Sequence, residues 1–268
     1  MTEHSIQSDL HLARDLADMA DAISIDRFRS HDLLVTMKPD MTEVTDADRA
    51  VEAALRGGLA DSRPADGILG EEFGAGDAPS ARQWIIDPID GTSNYVRGIP
   101  VWATLISLAV DGVPVVGVVS APALRQRWWA GLGQGAWTSE SATDIERRER
   151  RIFVSAVGGL GDASLSYNSL KGWDEAGRVD DLVRLSREVW RTRAYGEMWS
   201  YMMVAEGLLD IAGEFDLQPW DLAALIPIVR EAGGRFTSID GEEGPWHGSG
   251  LATNGLLHDA VIRSLRSG

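Results

Sequence analysis

The amino-acid sequence predicts a mixed α/β (α+β) fold, because helix and strand patterns alternate along it in two different ways. Short apolar runs bounded by turn residues dominate residues 67–138 and indicate a sheet, whereas strand and helix patterns take turns from residue 176 onward. A charged, irregular segment, residues 140–151, lies between these two parts. We therefore expect one compact unit with an α+β lobe, residues 1–145, and an α/β lobe, residues 146–268.

Helices are predicted where apolar residues recur every three or four positions. The first begins near Ile6 and continues for five or more turns. The second begins at Thr45-Asp46-Ala47-Asp48, where the helix dipole favours carboxylates, and is expected to end at Gly57-Gly58. The helices expected in the second lobe cover residues 176–189, 197–206 and 221–231 and a C-terminal segment capped by Asn254.

The strand pattern is clearest around Asp111-Gly112, a turn typical of a two-residue hairpin between residues 102–110 and 113–120. A loop is expected from residue 156 through Trp173. The remaining predicted strands are residues 67–70, 83–86, 127–130, 135–138, 152–155, 191–194 and 209–213, with two more near Phe236 and Leu251.

Composition excludes several classes of protein. The formal net charge is 25 − 41 = −16, which argues against coating a nucleic acid or docking on an anionic membrane. The chain has no cysteine, so a thiolate nucleophile and a cysteine-built metal site are excluded. Its longest apolar run, residues 101–110, is shorter than the ~20 residues of a membrane span, and its polar start does not resemble a signal peptide. We expect a cytoplasmic protein.

The densest chemical signal is the segment Trp84-Ile85-Ile86-Asp87-Pro88-Ile89-Asp90-Gly91-Thr92. Two carboxylates flank a proline directly after an apolar strand, a pattern typical of a divalent metal centre, and the Ile89 carbonyl lies between them. Hard oxygen ligands favour Mg²⁺ or Mn²⁺ over zinc. Gly91 frees the backbone, so that an anion can meet the N–H groups of Gly91, Thr92 and Ser93.

Other acidic residues are candidates for the same centre, although each has an ordinary alternative. Glu71 and Glu72 follow a predicted strand, where solvated carboxylates are common. Asp221 follows Trp220 at the start of a predicted helix, where a carboxylate can simply cap the helix. The Thr45–Asp48 motif can likewise be no more than a helix cap.

Taken together and in this order, these motifs resemble the inositol-monophosphatase-like family. The resemblance rests on Gly70-Glu71-Glu72, on the segment from Trp84 to Tyr95, and on Trp220-Asp221 with Glu231-Ala232-Gly233-Gly234, and it covers nearly the whole chain. It implies a layered α-β-α-β-α sandwich and a homodimer. It also implies Mg²⁺-dependent hydrolysis of a small phosphate monoester by an activated water, with Mn²⁺ as a possible substitute.

The resemblance implies two or three metal ions and assigns their ligands. Glu71, Asp87 and the Ile89 carbonyl would hold one ion, and Asp87, Asp90 and Asp221 would hold a second. The first lobe would then carry most of the metal ligands, and the second would carry Asp221 and the substrate-recognition residues.

Catalytic roles follow from the same resemblance. Thr92, together with Asp46, would position the attacking water beside Glu71. Lys38 stands where the family often carries a lysine near a mobile loop. The residues that would meet the phosphate or its ester are Asp90, Gly91, Thr92, Ser93 and Asp221.

The alcohol part of the substrate is indicated by Arg191-Thr192-Arg193-Ala194-Tyr195-Gly196-Glu197. This pattern resembles a subgroup of the family, found in actinobacteria and plants, that acts on histidinol phosphate. Histidinol carries an ammonium and an imidazole, which Glu197, Glu214 and Asp216 can bind, while Gly196 shapes the turn and Arg193 reaches the phosphate or orients the acids. Alternatively, Glu197 only starts a helix and pairs with Arg193.

Other functions remain as alternatives of different weight. Inositol 1-phosphate is the main alternative substrate, whereas a bisphosphate or a phosphoadenosine nucleotide would need extra basic residues. A haloacid-dehalogenase-type phosphatase is excluded because Pro88 stands where its nucleophilic carboxylate must be. A non-catalytic metal-binding protein on the same scaffold is disfavoured, since Glu71, Asp90 and Thr92 are all present.

Overall fold

A computed structural model describes residues 4–39, 41–76, 80–141 and 147–266 of the chain. Its helices, in chain order, are α1 (Ile6–Arg27), α2 (Asp46–Ser62), α3 (Thr92–Val96), α4 (Leu170–Glu175), α5 (Val179–Glu188), α6 (Glu197–Ala205), α7 (Pro219–Ala223), α8 (Leu225–Glu231) and α9 (His258–Arg266). Within the described ranges, none of them combines the length and the apolar character needed to span a lipid bilayer.

Three sheets are formed by the described strands. The first eight strands are β1 (Val35–Met37), β2 (Glu43–Thr45), β3 (Gly67–Gly70), β4 (Gly74–Ala75), β5 (Arg82–Asp90), β6 (Ala103–Val110), β7 (Val113–Ala121) and β8 (Gln126–Gly131). The others are β9 (Ala136–Ser141), β10 (Arg147–Arg151), β11 (Ser164–Ser166), β12 (Arg191–Arg193), β13 (Ile211–Phe215), β14 (Arg235–Thr237) and β15 (Ser249–Thr253).

The first two helices begin as their sequences predict. Ser5 accepts a hydrogen bond from the Ser8 N–H at the start of α1, and α2 starts with a reciprocal capping box between Thr45 and Asp48. The predicted end of α2 at Gly57-Gly58 is wrong, because the helix continues to Ser62. Gly58 faces α1, and a Cβ atom there would lie only 2.7 Å from a methyl group of Leu16, so this glycine permits close helix packing rather than ending the helix.

The large sheet has the strand order β10-β9-β8-β7-β6-β5-β3-β4. Its predicted hairpin is confirmed: Asp111 and Gly112 both have positive φ and connect β6 to β7 in antiparallel pairing. β5 runs parallel to β3 and antiparallel to β6, and its pairing with β6 shifts between Asp87 and Asp90. Such a bulge redirects side chains at the strand end, and Pro88 at its centre has no N–H to pair.

Alternate residues of the large sheet pack against different helices. Ile106 and Val118 face the cluster that contains α1 and α2, whereas their neighbours Leu105 and Val119 face the cluster that contains α6 and α8. The large sheet therefore has a helical layer on each face, as period-two alternation with buried residues on both sides requires.

The five-stranded sheet has the strand order β12-β11-β13-β15-β14. It packs against the helical layer of α6 and α8, on the side opposite the large sheet. Ala212 packs in the same cluster as α6 and α8, while its neighbour Ile211 packs with α5 and α9. The two sheets thus alternate with three helical layers, which confirms the expected α-β-α-β-α architecture.

Several predicted elements of the second lobe are wrong in detail. Residues 152–155 are not a strand, and the expected loop before Trp173 contains β11 and starts α4. The helix expected over 221–231 is divided into α7 and α8. Within the expected irregular segment, residues 147–151 form β10, which pairs with β9 in the large sheet. Residues 142–146 lie outside the described residues, and the division into lobes at residue 145 stays a prediction.

Candidate active site

Three carboxylates meet where the bulged end of β5 faces the start of α7. One oxygen each of Asp87, Asp90 and Asp221 lies within 4.8 Å of the others. Asp87 and Asp90 reach this point from the two sides of Pro88, whereas Asp221 arrives from more than a hundred residues later in the chain. The structure therefore brings together three of the predicted metal-binding side chains.

The electrostatics of this cluster fit a divalent cation. Oδ1 of Asp87 is buried and has no hydrogen-bond partner in the described part of the chain. Burial, reinforced by the charge of Glu71, raises the pKa of Asp87 well above its ordinary value, and burial together with Glu197 does the same to the pKa of Asp90. Burial raises the pKa of Asp221 to about 7. Crowded, desolvated oxygen donors of this kind are stabilised in their charged form by a metal ion.

Asp221 combines the two roles between which its sequence could not decide. Its Oδ2 accepts a hydrogen bond of 2.6 Å from the Gln218 N–H, as the last residue of a capping box at the start of α7. The same carboxylate also belongs to the cluster with Asp87 and Asp90. Helix capping therefore orients this side chain towards the site, instead of being an alternative to site membership.

Glu71 stands beside the cluster at the end of β3. It lies within hydrogen-bonding range of Asp87, and Lys38 Nζ contacts Glu71 Oε1 at 2.8 Å and Glu72 Oε1 at 2.6 Å. Burial raises the pKa of Glu71, and the hydrogen bond from Lys38 opposes that change. Lys38, at the position where the resembling family often carries a lysine, thus forms direct ion pairs with Glu71 and Glu72.

Glu52, which the sequence reading did not identify, supports this turn from beneath. Its buried carboxylate accepts hydrogen bonds from the backbone N–H groups of Glu72, at 2.7 Å, and Phe73, at 3.2 Å. A Cβ atom on Gly70 would overlap that carboxylate, so only glycine fits at this position. The helical spacing of Glu52 from Asp48 on α2 was the available signal for its inward direction.

The partner of Thr92 is Asp48, and the prediction that Asp46 stands beside Thr92 is wrong. Thr92 Oγ1 lies 3.1 Å from Asp48 Oδ1 and 3.0 Å from the Ile89 carbonyl oxygen. Asp46 instead pairs with Arg27 at 2.7 Å and accepts a hydrogen bond from the Leu34 N–H. Asp48 is the third residue of its helix, and its capping-box bond to Thr45 turns it inward, whereas Asp46 remains at the surface.

The predicted phosphate-binding backbone lies at the start of α3, next to the turn that begins α6. Gly91 has φ +84°, a left-handed backbone conformation, directly before Thr92 and Ser93. The side chain of Ser93 is exposed. Gly196 and Glu197, across from Gly91, also have positive φ, and the Met198 N–H donates a 2.9 Å hydrogen bond to Asp90 Oδ2. Glu197 is thereby fixed close to Asp90.

Of the residues predicted to recognise the substrate, Glu197 and Glu214 reach the site. Asp216 and Arg193 do not. Burial raises the pKa of Glu214 to about 8, and its charge, like that of Glu197, acts on Asp90. Asp216 is exposed. Arg193 is an exposed residue of β12 that donates to the Thr192 carbonyl, and among the described contacts it forms no ion pair with Glu197.

Comparison with known proteins agrees with this geometry. The model of the inositol monophosphatase family matches residues 7–268. Two histidinol-phosphatases are 56% identical to the chain: that of Mycobacterium tuberculosis over 97% of this chain and 98% of its own length, and that of Streptomyces coelicolor over 95% of each. The solved inositol monophosphatase of Anabaena superposes with a TM-score of 0.80 at 29% identity, over 97% of this chain and 95% of its own.

Proposed function

The chain belongs to the inositol monophosphatase family, and we propose that it is a Mg²⁺-dependent phosphatase that hydrolyses histidinol phosphate to histidinol and inorganic phosphate. The observation that carries the proposal is the cluster of Asp87, Asp90 and Asp221, in which Oδ1 of Asp87 is buried without a hydrogen-bond partner among the described residues. Such a cluster suits a divalent cation with hard oxygen ligands. The Ile89 carbonyl and Glu71 complete the proposed ligand set for two or three ions, with Mn²⁺ as a substitute.

When bound, Mg²⁺ would lower the pKa of a water molecule and offset the negative charge of the phosphoryl oxygens. The chain's own residues would position that water. The Thr92 hydroxyl donates a hydrogen bond to Asp48, so the Thr92 oxygen can accept a hydrogen bond from the water. Glu71, beside the cluster, is the proposed proton acceptor, and its ion pair with Lys38 fixes its orientation.

The substrate would lie between the start of α3 and the start of α6. We assign the backbone N–H groups of Gly91, Thr92 and Ser93 to the phosphate, and the cluster residues Asp90 and Asp221 to the alcohol part of the ester next to it. Glu197 and Glu214 would face the alcohol end of the ester, with Gly196 allowing the turn between them and Asp90. A cationic alcohol, such as histidinol, would relieve the repulsion among these acids, whereas inositol offers only hydroxyl groups.

The comparison supports histidinol phosphate over inositol 1-phosphate as the substrate. Both histidinol-phosphatases share 56% of their residues with this chain over nearly its whole length, about twice the 29% shared with the inositol monophosphatase of Anabaena. Arg193 lies exposed on β12, so it would reach the phosphate or the acids only from outside the carboxylate cluster. We also propose a homodimer and a cytoplasmic role in histidine biosynthesis.

Phosphate release from histidinol phosphate tests the proposed reaction. We expect turnover with Mg²⁺, loss of turnover with a chelator, and recovery when Mg²⁺ is restored. Asp221→Asn should abolish activity while the folded protein retains its helix content by circular dichroism. Full activity in the chelator, or in Asp221→Asn, would remove the metal assignment. Light scattering would separate a dimer from a monomer.

A further inference from the structure

Each carboxylate that faces the alcohol end of the proposed site is held by a neutral amide. Asn94 Nδ2 donates to Glu197 Oε1 at 3.0 Å, and Asn168 Nδ2 donates to Glu214 Oε1 at 2.5 Å. Neither glutamate forms an ion pair with a lysine or arginine among the described residues. The two acids are therefore fixed in place without a cationic partner from the described part of the chain.

We propose that Asn94 and Asn168 are positioning residues that determine specificity: they hold Glu197 and Glu214 as a pair of acids with no cationic side chain beside them, so that the enzyme selects phosphate monoesters whose alcohol part carries a positive charge. This inference rests on the proposed phosphatase function. It adds two residues to which the sequence reading gave no role, and it predicts a preference for charge that extends beyond any single alcohol.

Asn94 connects the proposed catalytic helix to the substrate end. It lies in α3, two residues after Thr92, and the second hydrogen of its amide is used in a 2.9 Å bond to the Val101 carbonyl. The amide is thus held at one point and presents its other N–H to Glu197. Glu197 itself has φ +51°, an unfavourable conformation for a glutamate that persists only where surrounding contacts hold it.

Asn168 is oriented by a second set of bonds that leads back to the same turn. The Ser166 hydroxyl donates to Asn168 Oδ1 at 2.7 Å, which directs the amide N–H groups towards Glu214. Ser166 Oγ in turn accepts a hydrogen bond of 3.1 Å from the Tyr195 N–H, two residues before Glu197. The supports of Glu197 and Glu214 are therefore connected through one serine.

Neutral donors matter because of the charge that they leave behind. A lysine or arginine in place of either asparagine would hold its glutamate equally well but would cancel the negative charge. An amide donor leaves the carboxylate able to bind a second partner. A positively charged group of the substrate is the partner that offsets the desolvation cost of the buried carboxylate. A neutral alcohol in the same place would leave both acids desolvated without compensation.

A matched pair of esters, 4-aminobutyl phosphate and butyl phosphate, tests this inference because the two differ mainly in one positive charge. With Mg²⁺ present, we expect the wild type to prefer the amino ester by tenfold or more in kcat/KM. Asn94→Ala and Asn168→Ala should each lower that ratio at least fivefold, mainly through a rise in KM of the amino ester.

Asn254→Ala is the matched control, since Asn254 is the remaining asparagine and binds Ser155 and the Val157 carbonyl away from these acids. It should leave the ratio unchanged. Equal losses on both esters in the Asn94 and Asn168 variants, or no change in the ratio, would overturn the inference, as would a wild type indifferent to the amine. Failure to hydrolyse histidinol phosphate would instead contradict the proposed substrate, because the ester pair does not depend on it.

Discussion

The pairing of Thr92 with Asp48 makes Asp48→Ala the most informative single substitution. It removes the carboxylate that accepts the Thr92 hydroxyl, 3.1 Å away, and so frees that hydroxyl to rotate towards the Ile89 carbonyl. Loss of a positioned acid–base group lowers kcat by about 10²–10⁴-fold, which corresponds to ~3–5 kcal/mol of transition-state stabilisation.

The same change has a smaller effect on stability. Asp48 also closes the capping box of α2, a contribution of about 1 kcal/mol to the free energy of unfolding, or a fall of roughly 2–4 °C in Tm. Part of this loss is offset, because burial raises the pKa of Asp48 and its removal ends that desolvation cost. Thermal unfolding measured beside kcat with saturating Mg²⁺ therefore separates catalysis from folding.

Asp46→Ala is the matched control, two residues away on the same helix. The Asp46→Ala variant loses a partly exposed ion pair with Arg27, worth about 0–1 kcal/mol. The kcat of this variant should stay within threefold of the wild-type value. If Asp46→Ala reduces kcat as much as Asp48→Ala does, or if Asp48→Ala keeps nearly full activity, the assignment of Asp48 to Thr92 is refuted.

Three further predictions concern residues that support the site or the fold. Gly70→Ala should lower both kcat and stability, the latter by about 1–3 kcal/mol, because its new methyl group displaces the Glu52 carboxylate that holds the turn after β3; unchanged activity would contradict this. Asp9→Ala should cost about 1–3 kcal/mol in chemical denaturation, since Arg63 loses its buried carboxylate partner while Arg82 keeps its ion pair with Asp66, yet should preserve kcat at 25 °C. Burial between two threonines, assisted by the charge of Arg235 and opposed by that of Asp259, lowers the pKa of His258 to about 4, below its ordinary value near 6.5. Because the unfolded chain binds this proton more readily, stability should fall as the pH decreases from about 6.5 towards 4, and His258→Gln should flatten that decline in thermal unfolding; an equally steep decline would assign it to other groups.

The first two members of the carboxylate cluster could be predicted from the sequence because their signal is local. Asp87 and Asp90 lie in one short segment after an apolar strand, and the bulge at Pro88 needs no distant contact to turn them together. For Asp221 the helix-start pattern left a cap and a metal ligand open, the family resemblance implied the ligand, and the structure shows both the cap and the place in the cluster.

The sequence pattern could not decide whether Asp46 or Asp48 contacts Thr92. Both are acids in the first turn of α2, and both suit the helix dipole. Only the capping box with Thr45 and the packing of α2 against β5 decide which one faces Thr92. The end of α2 was misjudged for a related reason, since Gly58 serves helix packing against α1.

The asparagines were beyond the sequence because their bonds join distant segments. Asn94 and Glu197 are 103 residues apart, and Asn168 and Glu214 are 46 apart. Strand β11 was missed as well, since three residues carry no periodic pattern, and only its parallel pairing with β12 and β13 defines it.

The most direct test of the central claim is a side-by-side measurement of kcat/KM for histidinol phosphate and inositol 1-phosphate with saturating Mg²⁺. Because Glu197 and Glu214 lie close to Asp90 without a basic partner among the described residues, we predict that histidinol phosphate is preferred by at least two orders of magnitude. Glu197→Gln should reduce that preference while changing the inositol ester little. Equal or faster hydrolysis of inositol 1-phosphate by the wild type would contradict the account.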